Sequence, residues 1–217
     1  MPIQQNSRVS NFFDEYAKDF SAIYGNDNSF LVSFINRIFR KSMRLRFIKT
    51  LEGCSPVDGR SILDVGCGPG HYSIALARMG AKRVLGIDFA EGMLKLASEN
   101  ARRLNVEKIC CFQKNDFVAY NFEEDFDYTI LMGIMDYIEK PEEMIQKVLS
   151  VTKVRAFFSF PLDGGLLAWQ RKLRYSYKCA LFMYMEGQII ELFSRMNHRR
   201  LEIQRNDREL FVTAHML

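Results

Sequence analysis

Residues 62–70 read Ile-Leu-Asp-Val-Gly-Cys-Gly-Pro-Gly, and this stretch decides the fold. A short apolar strand runs straight into glycines at alternate positions, Gly66, Gly68 and Gly70, and a helical pattern follows over 72–79. Glycine lets the backbone turn sharply and lets a ligand approach with no Cβ in the way, while free amides at the next helix start face polar groups. An ordinary strand-to-helix turn needs one or two glycines; three at this spacing, preceded by Asp64, point to a nucleotide-type site.

Further strand candidates lie at 84–87, 109–113, 128–132 and 156–160, separated by helical segments near 72–79, 91–104 and 141–150. In the middle helix Met93, Leu94, Ala97, Ala101 and Leu104 form one stripe. Such alternation predicts an α/β fold, a parallel sheet covered on both faces. Before it, 11–24 and 30–51 read as two amphipathic helices, a helical cap over 1–55. The rhythm breaks over 162–182, an aromatic and basic insertion, then resumes with a helix near 186–196 and a hairpin, 201–204 and 210–215, that closes the sheet antiparallel. The chain reads as a single domain of 217 residues with its core at 61–160.

Lys and Arg number 30 against 26 Asp and Glu, a net charge of +4 that does not by itself argue for nucleic acid. The charge is local: Arg37, Arg40, Lys41, Arg44, Arg46 and Lys49 form one patch, read as a solvated helix face, and Arg171, Lys172, Arg174 and Lys178 another. Five cysteines show neither zinc nor disulfide spacing, so no metal site is expected and a reducing cytoplasm is the simplest compartment. No stretch has the length of a signal-peptide core or a membrane span, though peripheral membrane contact stays open to the basic helix.

Two cofactor classes use a glycine loop after a first strand. The dinucleotide fingerprint, laid on Gly66 and Gly68, wants glycine or alanine where this chain has His71. The order of an acid, a glycine two residues later and G-x-G-x-G resembles motif I of class I S-adenosylmethionine-dependent methyltransferases, carried by Asp64, Gly66, Gly68 and Gly70. Within that class, 126–141 and 157–161 are distantly similar to magnesium-protoporphyrin O-methyltransferases.

The resemblance implies a Rossmann-like three-layer sandwich with a mostly parallel seven-stranded sheet, and S-adenosylmethionine as cofactor. It gives Asp88, at the end of the second strand and 22 residues beyond Gly66, the ribose hydroxyls. Phe89 would lie against the adenine, Asp116 would meet its amino group with Phe117 beside it, and Cys67 belongs to the same loop. Met132 and Gly133 would line the methyl-transfer pocket, and Tyr16 would reach the cofactor from a lid formed by 11–24.

Methyl transfer is a direct displacement that chiefly requires alignment of the acceptor, so a general base is optional; the candidates are Asp136, His71 and Tyr137. Trp169, Arg174 and Tyr177 of the insertion offer flat apolar faces and a cation, suited to a small anionic or aromatic acceptor, with O-methylation the expected outcome. Nucleic-acid methylation is the weaker reading, since no Asn-Pro-Pro-Tyr or Asp-Pro-Pro-Tyr run follows the fourth strand and no appended RNA-binding module is visible. A non-catalytic cofactor-binding subunit is the reading from another class.

Overall fold

The structure is a computed structural model that describes residues 30–164, 181–206 and 208–216, with the side chains of its first helix described from Ser42 onward. Seven strands, β1 (Ser61–Val65), β2 (Arg83–Asp88), β3 (Cys110–Lys114), β4 (Phe126–Leu131), β5 (Thr152–Pro161), β6 (Arg200–Asn206) and β7 (Glu209–His215), form one sheet in the order β3-β2-β1-β4-β5-β7-β6. β1 to β5 pair parallel, while β7 lies antiparallel to both β5 and β6. The expected Rossmann-like sheet with its antiparallel closing hairpin is therefore present. The helices are α1 (Phe30–Gly53), α2 (His71–Arg78), α3 (Glu91–Arg103), α4 (Pro141–Ser150) and α5 (Glu186–Ser194).

Side chains of a strand point alternately to opposite faces, and the central strands are apolar at nearly every position because both faces are covered. Ile62 of β1 packs with Ile74 and Leu76 of α2, and Leu63 joins Ile145 and Val148 of α4 on the other face. β4 repeats the pattern, with Ile130 on the α2 face and Leu131 on the α4 face. Aromatic rings extend the second core toward α5, where Phe158 meets Phe193 edge-on at 5.3 Å between centroids. Pro141 opens α4 in its first turn, followed by Glu142 and Glu143, with Lys147 in its last turn, a charge order that matches the helix dipole.

Strand order reverses at β1: β2 and β3 lie on one side of it, β4 and β5 on the other. Open α/β sheets hold ligands at the carboxyl ends of the strands beside such a switch point. Two carboxylates fix opposite ends of this centre. At the amino end, Asp127 accepts from the Ser61 amide (2.8 Å), the Ser61 hydroxyl (2.9 Å) and Arg60 Nη1 (3.0 Å), which staples β4 to the start of β1. At the carboxyl end, Asp64 shares the α2 face with Ile62 and is 1% exposed; its Oδ2 accepts from the Ser73 hydroxyl at 2.6 Å and the Ser73 amide at 3.2 Å.

The two carboxylates respond oppositely to acid. Burial pushes Asp64 up to about 6, although the bonds from Ser73 pull the other way. For Asp127, burial raises the pKa, but the bonds from Ser61 and Arg60 outweigh it and hold the carboxyl below its usual range. Asp127 therefore stabilises the fold above its unfolded pKa of about 4, and loses that contribution as pH falls through its lower folded value. Asp64 takes up a proton in the folded state as pH falls through about 6, so its charge penalty is relieved there. In urea unfolding, Asp127→Ala should cost about 2 kcal/mol at neutral pH, with the gap to wild type closing in acid. Wild type should gain about 1 kcal/mol relative to Asp64→Asn between about pH 7.5 and pH 5.5. An unchanged difference across that range would contradict the assignment of Asp64.

Candidate active site

The loop after β1 is sewn onto the end of β2. The Gly66 and Cys67 amides both donate to the Ile87 carbonyl, at 2.7 and 3.1 Å, and the Gly68 amide donates to Asp88 Oδ2 at 2.8 Å. Gly66, Gly68 and Gly70 adopt φ of +68°, +52° and +81°, in the left-handed region that favours glycine. Their surroundings differ. A Cβ on Gly66 would run into Ile134 Cγ2, and one on Gly70 would crowd Phe112 and Ala97 at 3.0–3.1 Å, so both serve close packing. A Cβ on Gly68 would meet no atom of the described residues within 4 Å, which makes it the position where the loop is open to a ligand. The contact between Gly66 and Ile134 also brings the β1 loop against the turn that follows β4.

Asp88 ends β2 and is tied twice, accepting from Gly68 through Oδ2 and from the Ala90 amide through Oδ1 at 2.9 Å, just ahead of α3. A carboxylate oxygen has two lone pairs, so both helix-capping and ligand roles fit this one side chain. Phe89 beside it is half-buried. Asp116, after β3, is exposed, and its Oδ1 accepts from the Val118 amide at 3.1 Å. Phe117 is 2% exposed, and its ring packs 5.7 Å from that of Phe122, so its side chain belongs to the core. Asp64 faces Ser73 beneath the loop, and the Cys67 thiol is buried, its pKa pushed up by burial and by the nearby Asp64 and Asp88.

β4 leads through Met132, 7% exposed, to Gly133, whose φ is +77°. A 3₁₀ turn, Met135–Tyr137, follows. Asp136 on it is 4% exposed, its carbonyl accepts from the Phe182 amide at 2.8 Å, and Tyr137 is half-buried. Tyr184 braces the same turn, its hydroxyl 3.4 Å from the Met135 carbonyl and 3.3 Å from that of Ile138. His71 is the first residue of α2 and is exposed. Tyr16 and the lid at 11–24, and Trp169, Arg174 and Tyr177 of the insertion, lie outside the described residues.

One cluster at this edge departs from the sequence reading. Arg46, placed there with the solvated face of its helix, instead points inward with 13% of its side chain exposed. Its Nη1 lies 3.0 Å from Glu209 Oε2 and 3.3 Å from the Ser159 hydroxyl, and its Nε donates to the Tyr72 hydroxyl at 3.3 Å. Burial works against the charge, but pairing with Glu209 and Tyr72 holds the proton more tightly than usual. A buried cation survives when it is paired and hydrogen-bonded. Six basic residues without an acid among them gave no local sign of this, because the partners stand 113 and 163 residues away.

Among the described residues no helix is long and apolar enough to cross a membrane, and no group of His, Cys, Asp and Glu could hold a metal ion. Residues 56–160 match the family model of a methyltransferase domain. Ribosomal protein L11 methyltransferase of Caldicellulosiruptor bescii is 38% identical over 96 residues, which are 44% of this chain and 31% of that protein. Ubiquinone biosynthesis O-methyltransferase of Paracidovorax citrulli is 32% identical over 104 residues, 48% of this chain and 43% of that protein. The chain thus spans less than half the length of either relative. Magnesium protoporphyrin IX methyltransferase of Synechocystis PCC 6803, solved with bound SAH, superposes with a TM-score of 0.79 at 20% identity, covering 98% of this chain and all of that one. Residues 56–160 thus match a methyltransferase domain in sequence, and the fold that holds them is the one seen in the Synechocystis enzyme.

Proposed function

We propose that this protein transfers the methyl group of S-adenosylmethionine to the oxygen of a small-molecule acceptor. The observation that carries the reading is the pairing of the open Gly68 with Asp88 across the ends of β1 and β2. Of the three loop glycines, only Gly68 has no described residue within 4 Å of a Cβ built on it, which supports a ligand lying on the bare backbone there. Asp88, oriented by the Gly68 and Ala90 amides, is the carboxylate assigned to the two ribose hydroxyls. In this reading Phe89 flanks the adenine and Asp116 accepts from its amino group, while Met132 and Gly133 line the methionine end.

When bound, the cofactor supplies a methyl carbon activated by a sulfonium leaving group. The chain's task is to hold the acceptor in line with that carbon and exclude water. Asp136 and Tyr137, on the turn after β4, are the groups best placed to orient an acceptor hydroxyl or accept its proton, with His71 at the start of α2 as a further candidate. Recognition of an anionic or aromatic acceptor falls to Trp169, Arg174 and Tyr177, and closure over the cofactor to Tyr16.

A small acceptor is favoured by the extent of the likenesses. The match to the ribosomal protein L11 enzyme stops at 96 residues, whereas the likeness to the magnesium protoporphyrin IX enzyme runs over nearly the whole chain. The match to the ubiquinone biosynthesis O-methyltransferase points the same way.

Incubation with methyl-labelled S-adenosylmethionine and a metabolite extract tests the reading. Label should appear in a small product; label only in macromolecules, or none at all, would overturn it. In calorimetry with S-adenosylhomocysteine, Asp88→Ala should weaken binding at least about tenfold, the loss of two charge-assisted hydrogen bonds. Gly68→Val should abolish binding while leaving the circular dichroism spectrum that of a folded chain, and normal affinity in either variant would remove the site from this edge of the sheet.

A further inference from the structure

The Arg46 cluster is larger than an ion pair requires. Glu209, at the start of β7, also accepts from Asn206 Nδ2 at 3.1 Å, and Asn206 reaches the Ser42 carbonyl of α1 at 3.4 Å. On the other side the Ser159 hydroxyl accepts from Arg46 and, at 2.8 Å, from the Gly133 amide. Ser159, Asn206 and Glu209 are 2%, 3% and 8% exposed. Such a run of buried polar groups is costly unless each is satisfied, and it ends on Gly133, the residue at the methionine end of the proposed site.

We infer that Arg46 is a positioning residue for that end of the site, acting through Ser159 on the Gly133 backbone. A serine hydroxyl has two lone pairs and a freely rotating proton. With one lone pair held by Arg46, the rotor is fixed and the other faces the Gly133 amide. The guanidinium also lies close over Gly133: a Cβ built there would stand 3.3 Å from Nη2, so a side chain would crowd it and be strained at this positive φ. Because β7 is antiparallel, its first residue arrives at the carboxyl edge of the sheet, and Glu209 can hold the guanidinium there. The relay thus connects α1, α2, β5 and the closing hairpin to one backbone amide beside the acceptor.

The inference rests on the cofactor reading above, and the experiment separates the two. S-adenosylhomocysteine and methylthioadenosine share the adenosine and the thioether; only the first carries the amino-acid tail. Ser159→Ala and the double variant Arg46→Met with Glu209→Leu remove the relay, the second replacing both charges by apolar groups, a change that fold stability often tolerates. With melting temperatures near wild type, both should weaken S-adenosylhomocysteine at least about tenfold and leave methylthioadenosine within about twofold. Equal losses for the two ligands, or wild-type affinity for both once stability is kept, would show that the cluster only holds the fold together and would overturn the inference. A wild-type protein that binds neither ligand would overturn the cofactor reading, and this one with it.

Discussion

The hydrogen bond between Asp64 and Ser73 is the constraint on which the ligand edge depends. A charged group at the end of a central strand, closed off on both faces by helices, is costly unless something donates to it. The donor is the hydroxyl and amide of a residue early in α2, so meeting the needs of the carboxylate also sets where α2 starts relative to β1. The loop between them is thereby pinned at both ends, and its glycine conformations follow. Asp88 repeats the device one strand away, bridging the loop to the start of α3.

This arrangement explains why three glycines in one motif perform two kinds of work. Gly66 and Gly70 make room for Ile134, Ala97 and Phe112, so they let the strand ends and helices close on one another. Gly68 faces open space. A substitution at either of the first two damages packing before it affects any ligand, and the effects are distinguishable by stability. The sequence motif alone does not separate these roles, since spacing carries no record of what lies opposite each Cα.

Much of the sheet was legible because its signals are local. Apolar runs such as 62–65 and 128–132, broken by glycine and followed by helical stripes, predict parallel strands within a residue or two of where they stand, and the closing hairpin was visible from its turn. β5 begins earlier than its apolar run suggested, at Thr152, since Lys153 and Arg155 obscure the alternation. Asp64 and Asp88 lie at the carboxyl edge of the sheet, but their bonds to Ser73 and Ala90 left no sign in the sequence, because an acid near a strand end looks the same whether it faces a ligand or a helix start. Arg46 was misplaced for a related reason. Its helix shows a basic face, and only the folded sheet brings Ser159 and Glu209 to it.

The strand order has a consequence for how the chain is made. β5 carries Ala156 to Phe160, an apolar run, and one of its edges pairs with β7, which begins 48 residues after β5 ends. While the polypeptide is being synthesised, that edge offers unpaired backbone and three phenylalanines to whatever is nearby until residue 215 has emerged. The same delay applies to Arg46, which is translated long before Glu209 and has no counter-ion from the hairpin until the last strand docks. Ribosome-bound intermediates of this protein should therefore be clients for chaperones that hold exposed strands, and release should coincide with pairing of β5 to β7.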